Sequence, residues 1–526
     1  MHHTKGVKIV RAKRWGVLVL LVLVLAGLAL AAAQPFAGRT VTLGVFAGGT
    51  RGAISGPFYY FRSAWEQLTG ARLNIVEIPF DQLPTKIKTD LITRAGRFDG
   101  FVPCANIYGD LVTNNWIVPV DPWIRDPRFP RWDPNDMGPP IRQLYQWGGK
   151  QYGANYDADA WVLYGRRDLL NDPKEKAAFR AKYGYDLRLP RTIKELLDVS
   201  EFFNNRDWNG DGRPDFGIVL PLKVSAQGFF FYLAFAAPYV VVPGPAVDEY
   251  HNVFFFNPRT MEPIINSPGH VKALEDYIRL TKNGPRAQLG WDLVESWDPF
   301  LKGNAALTYS PGDIGSLSKN PDRSRIKGKL TAGPMPASTE YYDRQSNRWV
   351  QKLNRVGNLL GCSWHGLVSS LSRNKETIYH LFAYMAERPR LFQITTFGWA
   401  GVDPGKIYDF PPEVSDGQGT GSIQAYIRQG FDRQDALDWL SAYWQNYYKM
   451  DAWQEYLRIP GAPELINSLD LHLSQALVGK ETPKQALDAV AKEWNDIVSK
   501  LGRDKLRRAY QESIGYGKPA PRYRPR

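Results

Sequence analysis

From Val41 to Phe46 the chain runs mostly apolar, which predicts a strand opening onto a loop that carries Gly48, Gly49 and Gly52. Phe61, Ala64, Trp65 and Leu68 then fall at i, i+3, i+4 and i+7, the period of an amphipathic helix, and Gly70 stops the run. Leu73 to Ile78 reads as a second strand. Ile87, Leu91 and Ile92 mark a second helix ended by Gly96, and Phe98 to Val102 reads as a third strand. A βαβαβ order implies a parallel sheet covered by helices, with ligands gathering beyond the carboxyl ends of its strands. The loops Ala47 to Thr50 and Pro103 to Tyr108 are therefore the first candidates for a site.

Further on, six prolines between Asp121 and Pro140 exclude a regular helix there and predict a surface excursion. Thr192-Ile-Lys-Glu195 has the form of a capping box and opens a helix bearing Ile193, Leu196, Leu197 and Val199, ending near Phe203. Thr482-Pro-Lys-Gln485 repeats the device. It launches a helix whose Leu487, Val490, Trp494, Ile497, Val498 and Leu501 share one face before Gly502. No internal repeat is visible.

The amino terminus has a different pattern: Lys8, Arg11, Lys13 and Arg14, the apolar run Val17 to Leu30, then Ala31, Ala32 and Ala33. Charged, apolar and small segments in that order predict an export signal over residues 1–33, cleaved after Ala33 or Ala31, and hence a periplasmic or extracellular protein. The alternative is a retained anchor. The remaining 493 residues exceed one hydrophobic core and fit two or three domains. The formal charge of +13 points toward nucleic acid only until it is located. Five of those charges sit in the leader and four more in a basic, Pro-rich tail over 517–526, so the folded body lacks a basic block and nucleic-acid binding loses its support. Two cysteines, Cys104 and Cys362, allow one bridge or two buried thiols. Seventeen Trp residues supply many flat rings, which serve cores and also stack on sugars.

One loop has metal-binding spacing. Asp207, Asn209, Asp211 and Asp215 stand at positions 1, 3, 5 and 9, Gly212 stands at 6, and Arg213 at 7 offers a backbone carbonyl. Calcium takes six to eight hard oxygens arranged in this way, although Ile218 stands where an EF-hand places its closing glutamate. The loop resembles the shorter D-x-N-x-D-G-x-x-D calcium loops and predicts a structural Ca2+ that pins the exit of the Thr192 helix. A plain Asx-rich surface turn is the alternative.

Several collinear segments resemble the carbohydrate-type extracellular solute-binding proteins of ABC importers, the class that includes maltose-binding proteins. They are Phe98-Asp-Gly, Gly149-Lys-Gln-Tyr152-Gly, Trp161-Val-Leu-Tyr164, Arg167-Asp168-Leu, Pro190-Arg-Thr-Ile-Lys-Glu-Leu, Lys302-Gly-Asn-Ala-Ala-Leu-Thr, Gly333-Pro-Met-Pro336, Gly357 to Val368 with Arg373-Asn-Lys-Glu376, and Ile459-Pro-Gly461. The resemblance implies an α/β, two-lobed, hinge-closing (type II) periplasmic binding protein fold, each lobe a sheet flanked by helices. Lobe one would hold 34–155 plus 328–395, and lobe two 156–327 plus 396–516. It implies no enzyme but a monomeric receptor that delivers a sugar, oligosaccharide or polyol to the transmembrane subunits of a permease. By the same resemblance Asn106, Asp157, Asp159 and Asp313 would bond hydroxyls, while Tyr156, Trp364 and Trp399 would offer stacking faces. A disulfide, if formed, would brace lobe one rather than lock the hinge.

Two other classes are carried beside it. Carboxylates and aromatics in a secreted protein also suit a glycan-active hydrolase. Yet H-E-x-x-H and a P-loop are absent, and Gly361-Cys-Ser-Trp-His-Gly366 misses G-x-S-x-G by one residue, which leaves His365 to packing or ligand contact. A membrane-anchored sugar sensor would instead keep its leader.

Overall fold

The computed structural model describes residues 34–49, 52–398 and 401–520. The predicted leader, Trp399 and the last six residues of the tail lie outside them. Two four-stranded sheets organise the chain. The first is built from β1 (Thr40–Phe46), β2 (Arg72–Ile78) and β3 (Gly100–Val102), and the second from β4 (Val162–Arg166), β5 (Phe216–Ile218), β6 (Ala305–Ser310) and β7 (Leu330–Pro334). The short β8 (Leu367–Val368) completes the first. The orders are β8-β3-β1-β2 and β5-β6-β4-β7.

In the first sheet β1 runs parallel to β2 in register Thr40 to Arg72 through Phe46 to Ile78, and parallel to β3, as the βαβαβ pattern requires. The helix Ser55–Thr69 returns between β1 and β2 and ends at Gly70, whose φ of 72° gives the left-handed cap. With Leu83–Ile92 and Lys375–Ala386 it covers this sheet. The second sheet is mixed: β4 is antiparallel to both β6 and β7, and β5 is parallel to β6. The helix Arg433–Tyr448 lies on β7 and β4, Ile193–Phe203 on β5, and Leu293–Lys302 on β6. Behind them the wholly apolar helix Gly228–Val240 is buried along its length, enclosed by Pro268–Thr281 and Ala462–Leu477. Pro483–Leu501 carries the full Thr482/Gln485 capping box and buries Leu487, Val490, Trp494 and Val498. Ile497 is half-buried, whereas Leu501 faces solvent. Among the described residues no helix is long and apolar enough to cross a membrane.

Three differences from the sequence expectations have physical causes. The resemblance places residues 328–395 in lobe one, but β7 pairs with β4 over five residues, and the hairpin Ser338–Asp343/Arg348–Asn354 packs on Gly228–Val240. The chain rejoins the first sheet only at β8, because the partner that captures Leu330 is some 160 residues away and invisible to local pattern. The proline-rich stretch is not merely superficial: Phe129, Trp132 and Met137 are buried, with Trp132 Nε1 donating to the Tyr379 hydroxyl at 3.0 Å. The start of the tail is also tied down, since the Val247 N–H donates to the Lys518 carbonyl and the Ala520 N–H to that of Pro245.

Three segments cross between the lobes, at 155–161, 357–366 and 401–406. They lie side by side: the Asp157 N–H donates to the Trp364 carbonyl at 3.1 Å, and the Asp403 N–H to Asp157 Oδ1 at 2.8 Å.

Candidate functional site

A cavity of about 950 Å³ lies between the two lobes, at the carboxyl ends of β1 and β2. Phe46 to Gly48, Gly52 to Ile54 and Pro79 to Asp81 form its first wall. Lys223 to Gln227, Asp292 to Val294, Trp297, and Asp313 and Arg323 among the residues after β6 contribute to the second, and Asp159, Trp364, Gly398 and Gly401 come from or beside the crossing segments.

The glycine-rich loop is shaped by backbone contact. A Cβ on Gly52 would lie 1.4 Å from the Gly48 carbonyl oxygen, so only glycine fits. Glu77 of β2 holds this loop to the following helix, because its Oε1 accepts from the Gly48 N–H (3.1 Å), the Gly49 N–H (2.6 Å) and the Ser55 hydroxyl (2.7 Å).

Aromatic faces sit next to this loop. Trp364 stacks on Phe46 with centroids 5.5 Å apart at 22°, and Phe80 meets both edge-on. On the opposite wall Trp297 is fixed by a 2.8 Å hydrogen bond from Nε1 to Ser310 Oγ. Flat apolar faces beside acceptors suit the two sides of a sugar ring.

The acceptors are Asp159 and Asp313. Asp159 Oδ2 takes the N–H groups of Cys362 and Ser363, both at 2.7 Å. Burial and the charge of Asp159 push the Asp313 carboxyl up to about 7, and burial raises that of Asp159. Asp159, Asp313 and Trp364 are thus brought together at one cavity.

Three other residues named from the sequence lie outside the cavity lining. Asp157 is fully buried behind the cavity, where its oxygens accept from Trp364 and Asp403 backbone N–H groups and leave no face for ligand. Tyr156 is buried against Phe58 and donates its hydroxyl to the Ile54 carbonyl at 2.7 Å, supporting a lining residue from behind. Asn106 lies in the turn Ala105–Ile107, away from the cavity lining. That turn is drawn under by a disulfide between Cys104 and Cys362 and by the Ala105 N–H donating to the Cys362 carbonyl. The bridge ties the loop after β3 to the second crossing segment. Trp399 falls outside the described residues. His365 is packing: it stacks on Tyr145 at 4.0 Å, its Nδ1–H donates to the Ser363 carbonyl, and burial pushes it down to about 3.

Sequence reasoning missed Phe46, Phe80, Trp297 and Glu77 as parts of the site. Trp297 sits on the buried stripe of Leu293–Lys302 and reads as core, while Glu77 is one polar residue in a strand. Only the capping box at Asp292 and Glu295 signals that this helix begins at a defined place.

The Asp207–Asp215 loop fills the gap between Ile193–Phe203 and β5. Asp207 accepts from the N–H groups of Gly210, Asp211 and Gly212, Asn209 from that of Asp211, and Asp211 from that of Arg213. Asp215 accepts from Trp208 and Asn209. Burial, together with the charge of Asp211, raises the Asp215 carboxyl. Every side chain in the set offers hard oxygen and the carboxylates repel one another, so the donor chemistry fits a calcium ion. Among the described residues, the metal-compatible acidic group whose oxygens all fall within 4.8 Å of one another is a different one, Asp157, Asp159 and Asp403.

No protein-family model matches the chain. Solved structures do resemble it. An ABC transporter solute-binding protein from Agrobacterium radiobacter K84 in complex with ribitol aligns at TM-score 0.65 and 19% identity, over 88% of this chain and 100% of its own. One from Agrobacterium vitis S4 with bound D-mannitol aligns at 0.61 and 18%, over 88% and 99%. Maltose-bound MalE3 of T. maritima aligns at 0.61 and 16%, over 88% and 100%. The chain has the two-lobed α/β fold of these ABC transporter solute-binding proteins.

Proposed function

We propose that this chain is the substrate-binding receptor of an ABC importer. It captures a sugar, oligosaccharide or polyol in the cleft and hands it unaltered to the transmembrane subunits of a permease. The observation that carries this reading is the pairing, in one interlobe cavity, of the Phe46/Trp364/Phe80 faces and Trp297 with the buried acceptors Asp159 and Asp313. The volume lies at the upper end of the roughly 300–1,000 Å³ range of ligand pockets, with room for an oligosaccharide as well as a polyol. Side-by-side crossing segments suit hinge closure.

On this reading residues 1–33 direct export, the mature chain works as a monomer in the periplasm or outside the cell, and it performs no catalysis. A structural calcium ion is proposed for Asp207, Asn209, Asp211, the Arg213 carbonyl and Asp215. It would hold the exit of Ile193–Phe203 against β5.

Thermal shift across mono- and oligosaccharides and polyols, followed by calorimetry and chromatography of the recovered carbohydrate, tests the reading. A specific stabiliser recovered unchanged supports it. Conversion of the carbohydrate, or stabilisation by none of the panel, counts against it.

A further inference from the structure

Four aspartates meet where the crossing segments run together. Asp157 and Asp159 come from the first segment, Asp403 from the third, and Asp313 is the first residue of the helix Asp313–Ser318 that follows β6. All are buried, and one oxygen of each of Asp157, Asp159 and Asp403 lies within 4.8 Å of the others.

Their hydrogen bonds knit the segments. Asp157 accepts from Trp364 on the second segment (3.1 Å) and Asp403 on the third (2.8 Å). Asp159 accepts from Cys362 and Ser363 on the second. Asp403 Oδ2 accepts from the Gly312 N–H at 2.7 Å and the Tyr443 hydroxyl at 2.9 Å.

That leaves Asp403 Oδ1 buried with no donor facing it. An ionised carboxylate oxygen in that position forfeits its hydration, whereas a protonated one needs an acceptor. Acceptors are close by, because Asp157 and Asp159 each place a carboxyl oxygen within 4.8 Å of one of Asp403. Carboxyls packed this closely away from water resist ionising together, which favours keeping a proton among them.

The cations nearest the cluster are each paired with a carboxylate outside it. Lys406 on the third segment is bonded to Asp409, Thr395 Oγ1 and the Asp403 carbonyl. Arg323, beyond Asp313, is paired with Asp298. Tyr164, Tyr443 and Tyr447 from the second lobe, with Tyr145, Tyr456 and a neutral His365 around the first and second segments, complete the titratable surroundings.

We propose that Asp403 is a positioning residue that keeps a proton on Oδ1 and shares it with Asp159 and Asp157. That proton fastens the three crossing segments in the arrangement that presents Asp159, Asp313 and Trp364 to the cavity. Burial, with the charges of Asp313, Asp157 and Asp159, pushes the Asp403 carboxyl well up. Burial and then the charge of Asp159 raise Asp157 and take Asp313 to about 7, while burial raises Asp159 against the hydrogen bonds it accepts. The sign follows: folded values above the unfolded value of about 4 give stability that is complete below pH ~4 and lost as pH rises through the folded values.

The affinity part of the inference rests on the proposed ligand site, while the stability part stands without it. The test compares wild type, Asp403→Asn and Asp403→Ala by thermal melting from about pH 5 to about pH 8, a span above the ordinary carboxylate range that brackets the Asp313 value of about 7. Maltose, D-mannitol and ribitol are titrated as probes at both ends. Asn mimics the protonated acid, so Asp403→Asn is expected to melt at or above wild type near pH 8 and to lose much of the pH slope. Asp403→Ala is expected to melt lower throughout, and any probe that binds wild type is expected to bind it more weakly near pH 8 but bind Asp403→Asn equally at both ends. An Asn variant as pH-dependent as wild type, or as unstable as the Ala variant at every pH, overturns the proposal. So does a rise in melting temperature near pH 8 when calcium or magnesium is added to an Asp207→Asn/Asp211→Asn variant, because the cluster would then hold a metal ion instead of a proton. If none of the three probes binds, only the ligand reading suffers and the melting comparison still decides.

Discussion

Replacing Trp364 with alanine removes the indole that stacks on Phe46 and faces the cavity. The indole is 5% exposed, so a ligand ring covers on the order of 10 Å² of it, worth ~0.3 kcal/mol at about 25 cal/mol per Å². Ring-specific attraction adds about 1 kcal/mol, for a total of about 1.3 kcal/mol, or roughly a tenfold rise in Kd. Because the ring is almost wholly packed, the fold is expected to lose about 3 kcal/mol, the low end of the roughly 3–5 kcal/mol of a buried Trp→Ala change. Trp364→Phe keeps a smaller ring, with a loss of about 0.5 kcal/mol in binding and a Kd rise of roughly two- to threefold. Titration calorimetry gives Kd and circular dichroism the melting curve. A folded Trp364→Ala protein that binds with unchanged Kd refutes the stacking argument.

Four further outcomes are expected. Chelation should lower the melting temperature by several degrees through the Asp207–Asp215 loop while leaving ligand Kd unaltered, and a chelator without effect on melting removes the calcium assignment. Reducing the Cys104–Cys362 bridge, which joins residues 258 apart, should destabilise the protein by about 2–4 kcal/mol, read as a lower urea midpoint; an unmoved midpoint contradicts this. Glu77→Gln removes the charge behind three hydrogen bonds on Gly48, Gly49 and Ser55 and should cost about 1–2 kcal/mol and weaken binding, measured by melting and calorimetry together. His270 is buried and pushed down to about 3, so its contribution is present above about pH 6.5 and lost as pH falls toward 3. A His270→Gln variant should therefore show a shallower loss of stability on acidification than wild type.

Much of the first lobe was legible because its signals are local. The apolar period of Phe61 to Leu68 and the stop at Gly70 name a helix without reference to anything distant. The boundary at 328 was misplaced because β7 is recruited by β4, a contact that no period or cap announces. The site shows the same division. Asp159, Asp313 and Trp364 could be named because they lie in loops that the family resemblance brings to the cleft, but nothing local separates Asp159 from Asp157, two residues away. Alternation decides between them: one side chain reaches the cavity and the other turns back to hold Trp364 and Asp403. Phe46 and Trp297 sit at the end of a strand and on an apolar helix stripe, where burial in the core is the ordinary outcome, and only the assembled cavity gives them a face.

The central claim is that two lobes close on a carbohydrate that leaves chemically unchanged. Small-angle scattering on the protein with and without a saturating stabiliser from the thermal-shift panel tests this most directly. The account predicts a smaller radius of gyration in the presence of the carbohydrate, reversed when it is dialysed away. Identical scattering profiles with the cleft demonstrably occupied would contradict it.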